Sequence, residues 1–254
     1  MPKYSQVFLK DAGICAAIAG ALDEESFDSV TEIGPGGGAL TEFLYPKYPR
    51  MRAVEIDKTL LPALRARFPG LEIVNIDFLQ ADLAAVAGPG RAAFIGNLPY
   101  ECSTAILEKT LLYPGTAAAV FMFQKEVARR ITAAPGDSDY GYLSLLSASR
   151  ASAELLMDIG AASFSPVPAV DSSVLRFRPR VYFADPAQEA AFRALIRKAF
   201  SHRRKTLINS LSLCGVEKAV SAAAVAALGL KPTARPQELS LEQYAALAAA
   251  LAPK

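Results

Sequence analysis

Histidine and cysteine are scarce in this chain, and that scarcity narrows its chemistry. Only His202 and the cysteines Cys15, Cys102 and Cys214 occur among 254 residues. A zinc centre gathers several such ligands at close spacing, and these are scattered, so no metal cofactor is expected. The cysteines are odd in number and set among apolar residues. They read as buried free thiols of a reducing cytoplasm, not as a disulfide framework. His202 stands in a basic run and reads as solvated. No uninterrupted apolar run of ~18 residues is present, which argues against a membrane span. The stretch Met1-Pro2-Lys3-Tyr4-Ser5 lacks the basic-then-apolar order of a secretory leader. A cytoplasmic protein is expected.

What is present is a globular composition, 52% apolar and 20% charged, with length enough for one large domain and a small one. Charge is unevenly spread. The net is +2, yet Arg176 to Lys205 holds nine basic residues against Asp185 and Glu189, which gives that segment +7 and the remainder −5. A localised basic stretch is what polyanion binding uses. Arg193, Arg197, Arg203, Arg204 and Lys205 are the candidate RNA contacts.

Strand and helix signals alternate through the first half. Residues 29–33, 51–56, 71–76, 92–96 and 117–123 read as strands, with helices over 39–44 and 60–68. This order predicts a parallel, doubly wound α/β sheet of Rossmann-like type. Residues 153–159 and 173–177 read as strands at the far edge of the sheet. Pro166 and Pro168 keep the loop between them out of helix. From about residue 181 the pattern turns helical. Asp185 caps a helix that has Pro186 first and Gln188 completing a capping box. Phe192, Leu195, Ile196, Ala199 and Phe200 form its apolar stripe. A last helix starts at Ser240, boxed by Gln243. The expected domains are 1–180 for cofactor and catalysis and 181–254 as a small helical, basic, RNA-binding module.

Gly34, Gly36 and Gly38 follow a strand and open a helix, where glycine permits positive φ and close approach of a ligand to the backbone. Glu55 ends the next strand, with Ile56 beside it, and can accept hydrogen bonds from ribose hydroxyls. The pattern Gly34-x-Gly36-x-x-Ala39 also fits a dinucleotide fingerprint. Asp77, after the third strand, favours S-adenosylmethionine. Its carboxylate can accept from the cofactor's adenine amino group, with Phe78 available to pack on that ring.

Asn97-Leu98-Pro99-Tyr100 follows the fourth strand and supplies the other half of a site. An exocyclic amino nitrogen such as adenine N6 is a poor nucleophile, because its lone pair is delocalised into the ring. Acceptors at its two hydrogens, the Asn97 side-chain oxygen and the Leu98 carbonyl, favour a pyramidal nitrogen with a localised lone pair. Pro99 holds Leu98 extended and aims that carbonyl. Tyr100 can stack on the base. Methyl transfer then depends chiefly on alignment and electrostatics, without a strong base. A base in RNA must leave its stack to reach such a pocket. Phe164 is a candidate for the opposite wall of an aromatic clamp, with a core phenylalanine as the competing reading.

These segments resemble the ribosomal RNA adenine N6,N6-dimethyltransferases of KsgA type, almost end to end. Gln6-Val7-Phe8-Leu9 resembles the family's N-terminal Q-N-F-L, EIGPGGGALT at 32–41 its first cofactor motif, and Asn97–Tyr100 its N-[LP]-P-Y. The blocks FQKEVARR at 123–130 and YGYLS at 140–144, FSPVPAVDS at 164–172 and AFSHRRKTLINSL at 199–211 resemble later signatures. The resemblance implies S-adenosylmethionine contacts at Gln6, Leu9, Gly34, Glu55, Asp77 and Asn97, beside the Gly36 already read from the glycine turn. It also implies two methylations on each of two neighbouring adenines near the 3′ end of 16S rRNA, in an assembling small subunit; a monomer is expected. The family usually carries Asn or His where this chain has Val7, so contact there is by backbone alone.

Three alternatives stand beside this reading. A 23S rRNA adenine methylase of the resistance type shares the earlier motifs, though the signature at 199–211 favours the small-subunit enzyme. A nicotinamide-dependent oxidoreductase would use the same glycine turn. A non-catalytic RNA-binding assembly factor would keep the fold, with Val7 its one sequence support.

Overall fold

The strand and helix alternation resolves into a seven-stranded sheet. In the computed structural model of the chain, which describes residues 7–252, the strands are β1 (Phe8–Leu9), β2 (Ser29–Ile33), β3 (Arg52–Val54), β4 (Glu72–Val74) and β5 (Ala92–Asn97). They continue as β6 (Thr116–Gln124), β7 (Ala151–Ile159), β8 (Phe164–Ser165) and β9 (Ser172–Pro179). The large sheet has the order β4-β3-β2-β5-β6-β9-β7. Its strands β2 to β6 pair in parallel, and β9 runs antiparallel to both β6 and β7. All of β6 except Gln124 is buried, as its unbroken apolar sequence requires of a strand covered on both faces. Val30, Ala93, Ile95, Val120 and Met122 from three adjacent strands share one core with Ile18, Leu22 and Leu44.

The winding positions the site. From β2 the chain moves outward through β3 to β4, then returns past β2 to lay down β5. That reversal leaves a crevice beyond the carboxyl ends of β2 and β5, the usual ligand position in such sheets. A separate antiparallel ribbon pairs β1 with β8, setting Phe8 opposite Ser165 and Leu9 opposite Phe164. The first two residues of the expected loop at 164–168 are therefore strand. Their partner lies so far away in sequence that no local pattern announces it.

The chain forms two compact units, Met1–Ala128 with Ala151–Pro179, and Arg129–Arg150 with Arg180–Lys254. The division expected near residue 180 is one of these crossings, but Arg129–Arg150 belongs to the second unit. Tyr140 and Leu145 sit in that unit's core with Phe192, Leu211, Tyr244 and Leu247, and the Tyr140 hydroxyl donates to the Leu239 carbonyl at 2.9 Å. The helix Pro186–Phe200 buries Phe192, Leu195, Ile196 and Ala199, as its stripe predicts. Asp185 caps it with Pro186 at the first turn, as expected, its carboxylate accepting from the Ala187 N–H, but the box with Gln188 does not form. Ser240 and Gln243 form the full reciprocal box.

Two further expectations are revised. Cys15 is buried, whereas Cys102 and Cys214 are half-buried, and all three are free thiols. The +7 segment is not one basic face. Arg176 and Arg178 lie on β9, where Arg176, with 9% of its side chain exposed, pairs with Glu24 and Glu154, and Arg178 with Glu25 and Glu154. Among the described residues no helix is long and apolar enough to cross a membrane, and no group of three or more His, Cys, Asp or Glu could hold a metal.

Candidate active site

The turn after β2 is built from glycines that cannot be replaced without strain. Gly34, Gly36 and Gly38 have φ of 67°, 58° and 84°, a region L side chains avoid. A Cβ on Gly36 would lie 2.9 Å from Phe8 Cε1, whereas one on Gly34 would meet nothing within 4 Å. The backbone at Gly34 is thus open to a ligand. The adjoining pocket has about 860 Å³ of empty space open to solvent and is lined by Val7, Phe8, Leu9, Gly34, Gly36, Glu55, Ile56 and Asn97 to Tyr100. The glycine turn and Glu55, expected on the cofactor side, share it with the Asn97–Tyr100 segment, and Asp77 and Phe78 do not line it.

Glu55 is buried. Its carboxylate accepts from the Gly36 N–H at 3.0 Å and the Asp57 N–H at 2.8 Å, which ties the glycine turn to the end of β3. The exposed Ile56 supplies an apolar wall. Asn97 closes β5, and its Nδ2 donates to the Val7 carbonyl at 3.0 Å. This bond occupies the donor end of the amide and leaves Oδ1 as the group available to accept. Val7 therefore takes part through its backbone. Leu98 is buried and Pro99 exposed. The Tyr100 hydroxyl lies 3.2 Å from Ser172 Oγ, which fixes the ring's orientation.

Other expected residues fall elsewhere. Phe164 is 0% exposed and lies in the sheet core beneath β1. The competing reading, a core phenylalanine, describes it, because pairing with Leu9 turns it inward and hydrophobic burial holds it there. Phe78 is also buried, edge-on to Phe94 with Lys109 over its ring, and is packed within the fold, not on the pocket wall. Asp77 is half-buried and accepts from the Leu79 N–H at 2.9 Å. It also helps raise the Cys102 thiol pKa, behind burial as the main cause, which places it close to the segment after Tyr100. Gln6 lies outside the described residues.

In the second unit, Arg193 stands 3.8 Å from Glu189. Arg197 covers the Tyr142 ring and donates to its hydroxyl, and Arg203 donates to the carbonyls of Ser138 and Tyr140. Arg204 and Lys205 are exposed.

Glu32 escaped the sequence reading. It lines the pocket from within β2 at 1% exposure, and Thr41 Oγ1 donates to its Oε2 at 2.6 Å. Burial, aided by the nearby Glu55, pushes its carboxyl up to about 7. The available signal was an acid in the strand just before the glycine turn, at the head of the segment 32–41. Phe8 and Ser172 lie within the segments 6–9 and 164–172 that resemble family signatures, but no site role was read for either.

A mostly parallel sheet with its winding reversed at such a pocket is the architecture of the S-adenosylmethionine-dependent methyltransferases. Within that class, this chain belongs to the ribosomal RNA adenine dimethylase family, whose pattern it matches over residues 1–252. It is 40% identical to ribosomal RNA small subunit methyltransferase A of Acidobacterium capsulatum, over 97% of this chain and 89% of that one. It is 41% identical to the protein of the same description from Geobacter metallireducens, over 97% and 93%. Among solved structures, a dimethyladenosine transferase from Plasmodium falciparum superposes with a TM-score of 0.79 at 26% identity, over 94% and 95% of the two chains. The 23S rRNA methyltransferase ErmE gives 0.70 at 28%, over 96% and 99%. The architecture is shared with a protein described as acting on 23S rRNA, whereas the sequence relatives are described as small-subunit methyltransferases.

Proposed function

We propose that this chain dimethylates N6 of two adjacent adenines near the 3′ end of 16S rRNA in the assembling small subunit, acting as a cytoplasmic monomer. The observation that carries this reading is the Asn97 amide, held by the Val7 carbonyl with its oxygen left to accept. The glycine turn and Glu55 are assigned to S-adenosylmethionine, which supplies an electrophilic methyl group when bound. The open backbone at Gly34 fits such a ligand. Asp77 is assigned to the cofactor's amino group through its carboxylate.

The chain's own residues prepare the nitrogen. Asn97 Oδ1 and the Leu98 carbonyl accept from the two N6 hydrogens and draw the lone pair out of conjugation. Tyr100, oriented through Ser172, holds the ring by stacking. Once N6 becomes cationic it is acidic enough to release a proton to solvent without a dedicated base. The acceptors are preorganised, so no reorganisation is needed at the moment of transfer.

The test is transfer of labelled methyl groups, in parallel, to unmethylated 30S particles and to unmethylated 23S rRNA, followed by mapping of the modified bases. Two adjacent dimethylated adenines near the 3′ end of 16S rRNA are expected. Label in 23S rRNA alone would replace the substrate, and tight particle binding without transfer would remove the activity.

A further inference from the structure

The loop between β8 and β9 holds two valines in water. Val167 is 64% exposed and Val170 43%. One exposed aliphatic residue is ordinary, but two in a short loop beside a pocket invite an occupant. Both ends of the loop are fastened to the site. Before it, Ser165 pairs with Phe8, whose side chain meets the glycine turn at Gly36. After it, Ser172 Oγ meets the Tyr100 hydroxyl. The return is pinned at Asp171, whose carbonyl accepts from the Lys125 N–H at 2.9 Å and whose carboxylate accepts from the Ala161 N–H at 3.0 Å. Pro166 and Pro168 restrict the backbone further. A stiff loop thus leaves one wall of the pocket and returns at another.

Extruding a base leaves a gap between its former neighbours, and unstacking costs a few kcal/mol. Apolar side chains inserted between base steps offset such a cost in proteins that distort nucleic acids. Residues 164–170 carry no charge, so this stretch suits base faces better than phosphates. We propose that Val167 and Val170 form an apolar wedge that packs against the nucleobases flanking the target adenine and holds the stack open while that adenine occupies the pocket. The inference rests on the reading of the pocket as an adenine site, and its occupant is the substrate RNA itself.

The experiment measures methyl transfer to unmethylated 30S particles by the wild-type chain, by Val167→Ser with Val170→Ser, and by Val167→Ile with Val170→Ile. Calorimetry of S-adenosylmethionine binding and thermal unfolding are run on each. The serine pair is expected to lower kcat/KM roughly tenfold, in line with a partial loss of support for the unstacked state. The isoleucine pair should retain the wild-type rate, and all three should share one cofactor affinity and one Tm. An undiminished rate for the serine pair would overturn the wedge. Equal losses for both pairs would overturn it too, as would a loss that follows weakened cofactor binding. If the wild-type chain transferred no methyl groups, the functional reading would fall and the wedge with it.

Discussion

The Asn97 amide donates from Nδ2 to the Val7 carbonyl, and this one bond decides which end of the side chain meets a substrate. Every residue type offers a carbonyl, so valine at position 7 preserves the bond that Asn or His would also make from its backbone. Asn97→Ala should lower methyl transfer by at least ~100-fold, the scale for removing a preorganised electrostatic group, while Tm stays near the wild-type value. Undiminished turnover would remove the mechanism. Glu32 gives a second test at this scale. Burial raises its carboxyl from 4.5 to about 7, so between those values the native chain holds a proton that the unfolded chain has released. Stability should therefore fall as pH rises through that window. Glu32→Gln should flatten the dependence of Tm on pH between 4.5 and about 7, and an unchanged slope would show that Glu32 ionises without penalty. Glu55 and Asn97 were legible because each ends a strand recognisable by its apolar run. Phe164 and Phe78 were not, because burial against residues distant in sequence decides which way an aromatic side chain points.

The glycine turn and the β1–β8 ribbon meet at Gly36 and Phe8, so a change in one element should be felt in the other. Gly36→Ala puts an alanine at φ 58° and its Cβ 2.9 Å from Phe8 Cε1. The left-handed backbone alone costs about 1–2 kcal/mol. Tm should fall, and S-adenosylmethionine affinity should fall roughly tenfold as the turn shifts. Adding Phe8→Ala relieves the clash but not the backbone strain, so it should restore part of the lost Tm. Calorimetry and thermal unfolding of the single and double variants read both effects, and full restoration would mean that the clash, not φ, is the constraint. The same pair of elements marks the limit of reading elements from sequence. The parallel strands and their order class followed from alternating apolar runs. The ribbon did not, because Phe8 and Leu9 pair with Ser165 and Phe164, far away in sequence. Arg129–Arg150 likewise joins the second unit through Tyr140 and Leu145, a tertiary preference that no local period encodes.

For the whole molecule, the asymmetry of charge is the property most altered by folding. Net charge along a segment counts Arg176 and Arg178 with the basic residues after them, but β9 sets these two among Glu24, Glu25 and Glu154. Arg180 donates to the Ala148 carbonyl, Arg197 covers Tyr142, and Arg203 holds the carbonyls of Ser138 and Tyr140. The candidate RNA contacts therefore divide into side chains that brace the second unit and side chains exposed to a polyanion. Arg204 and Lys205 are of the second kind. Reversing both to glutamate should weaken binding to 30S particles and lower the salt dependence of binding by roughly one unit of slope for each phosphate left without its cation. Cofactor affinity and Tm should be unchanged. Arg203→Glu should act differently, costing about 1 kcal/mol of stability through its broken carbonyl bonds before any effect on RNA. Particle binding titrated at several salt concentrations, beside thermal unfolding, separates the two. If the Arg204 and Lys205 reversals leave the salt slope intact while Arg203→Glu reduces it at constant Tm, the polyanion is held through Arg203 and its carbonyl bonds yield to phosphate on binding.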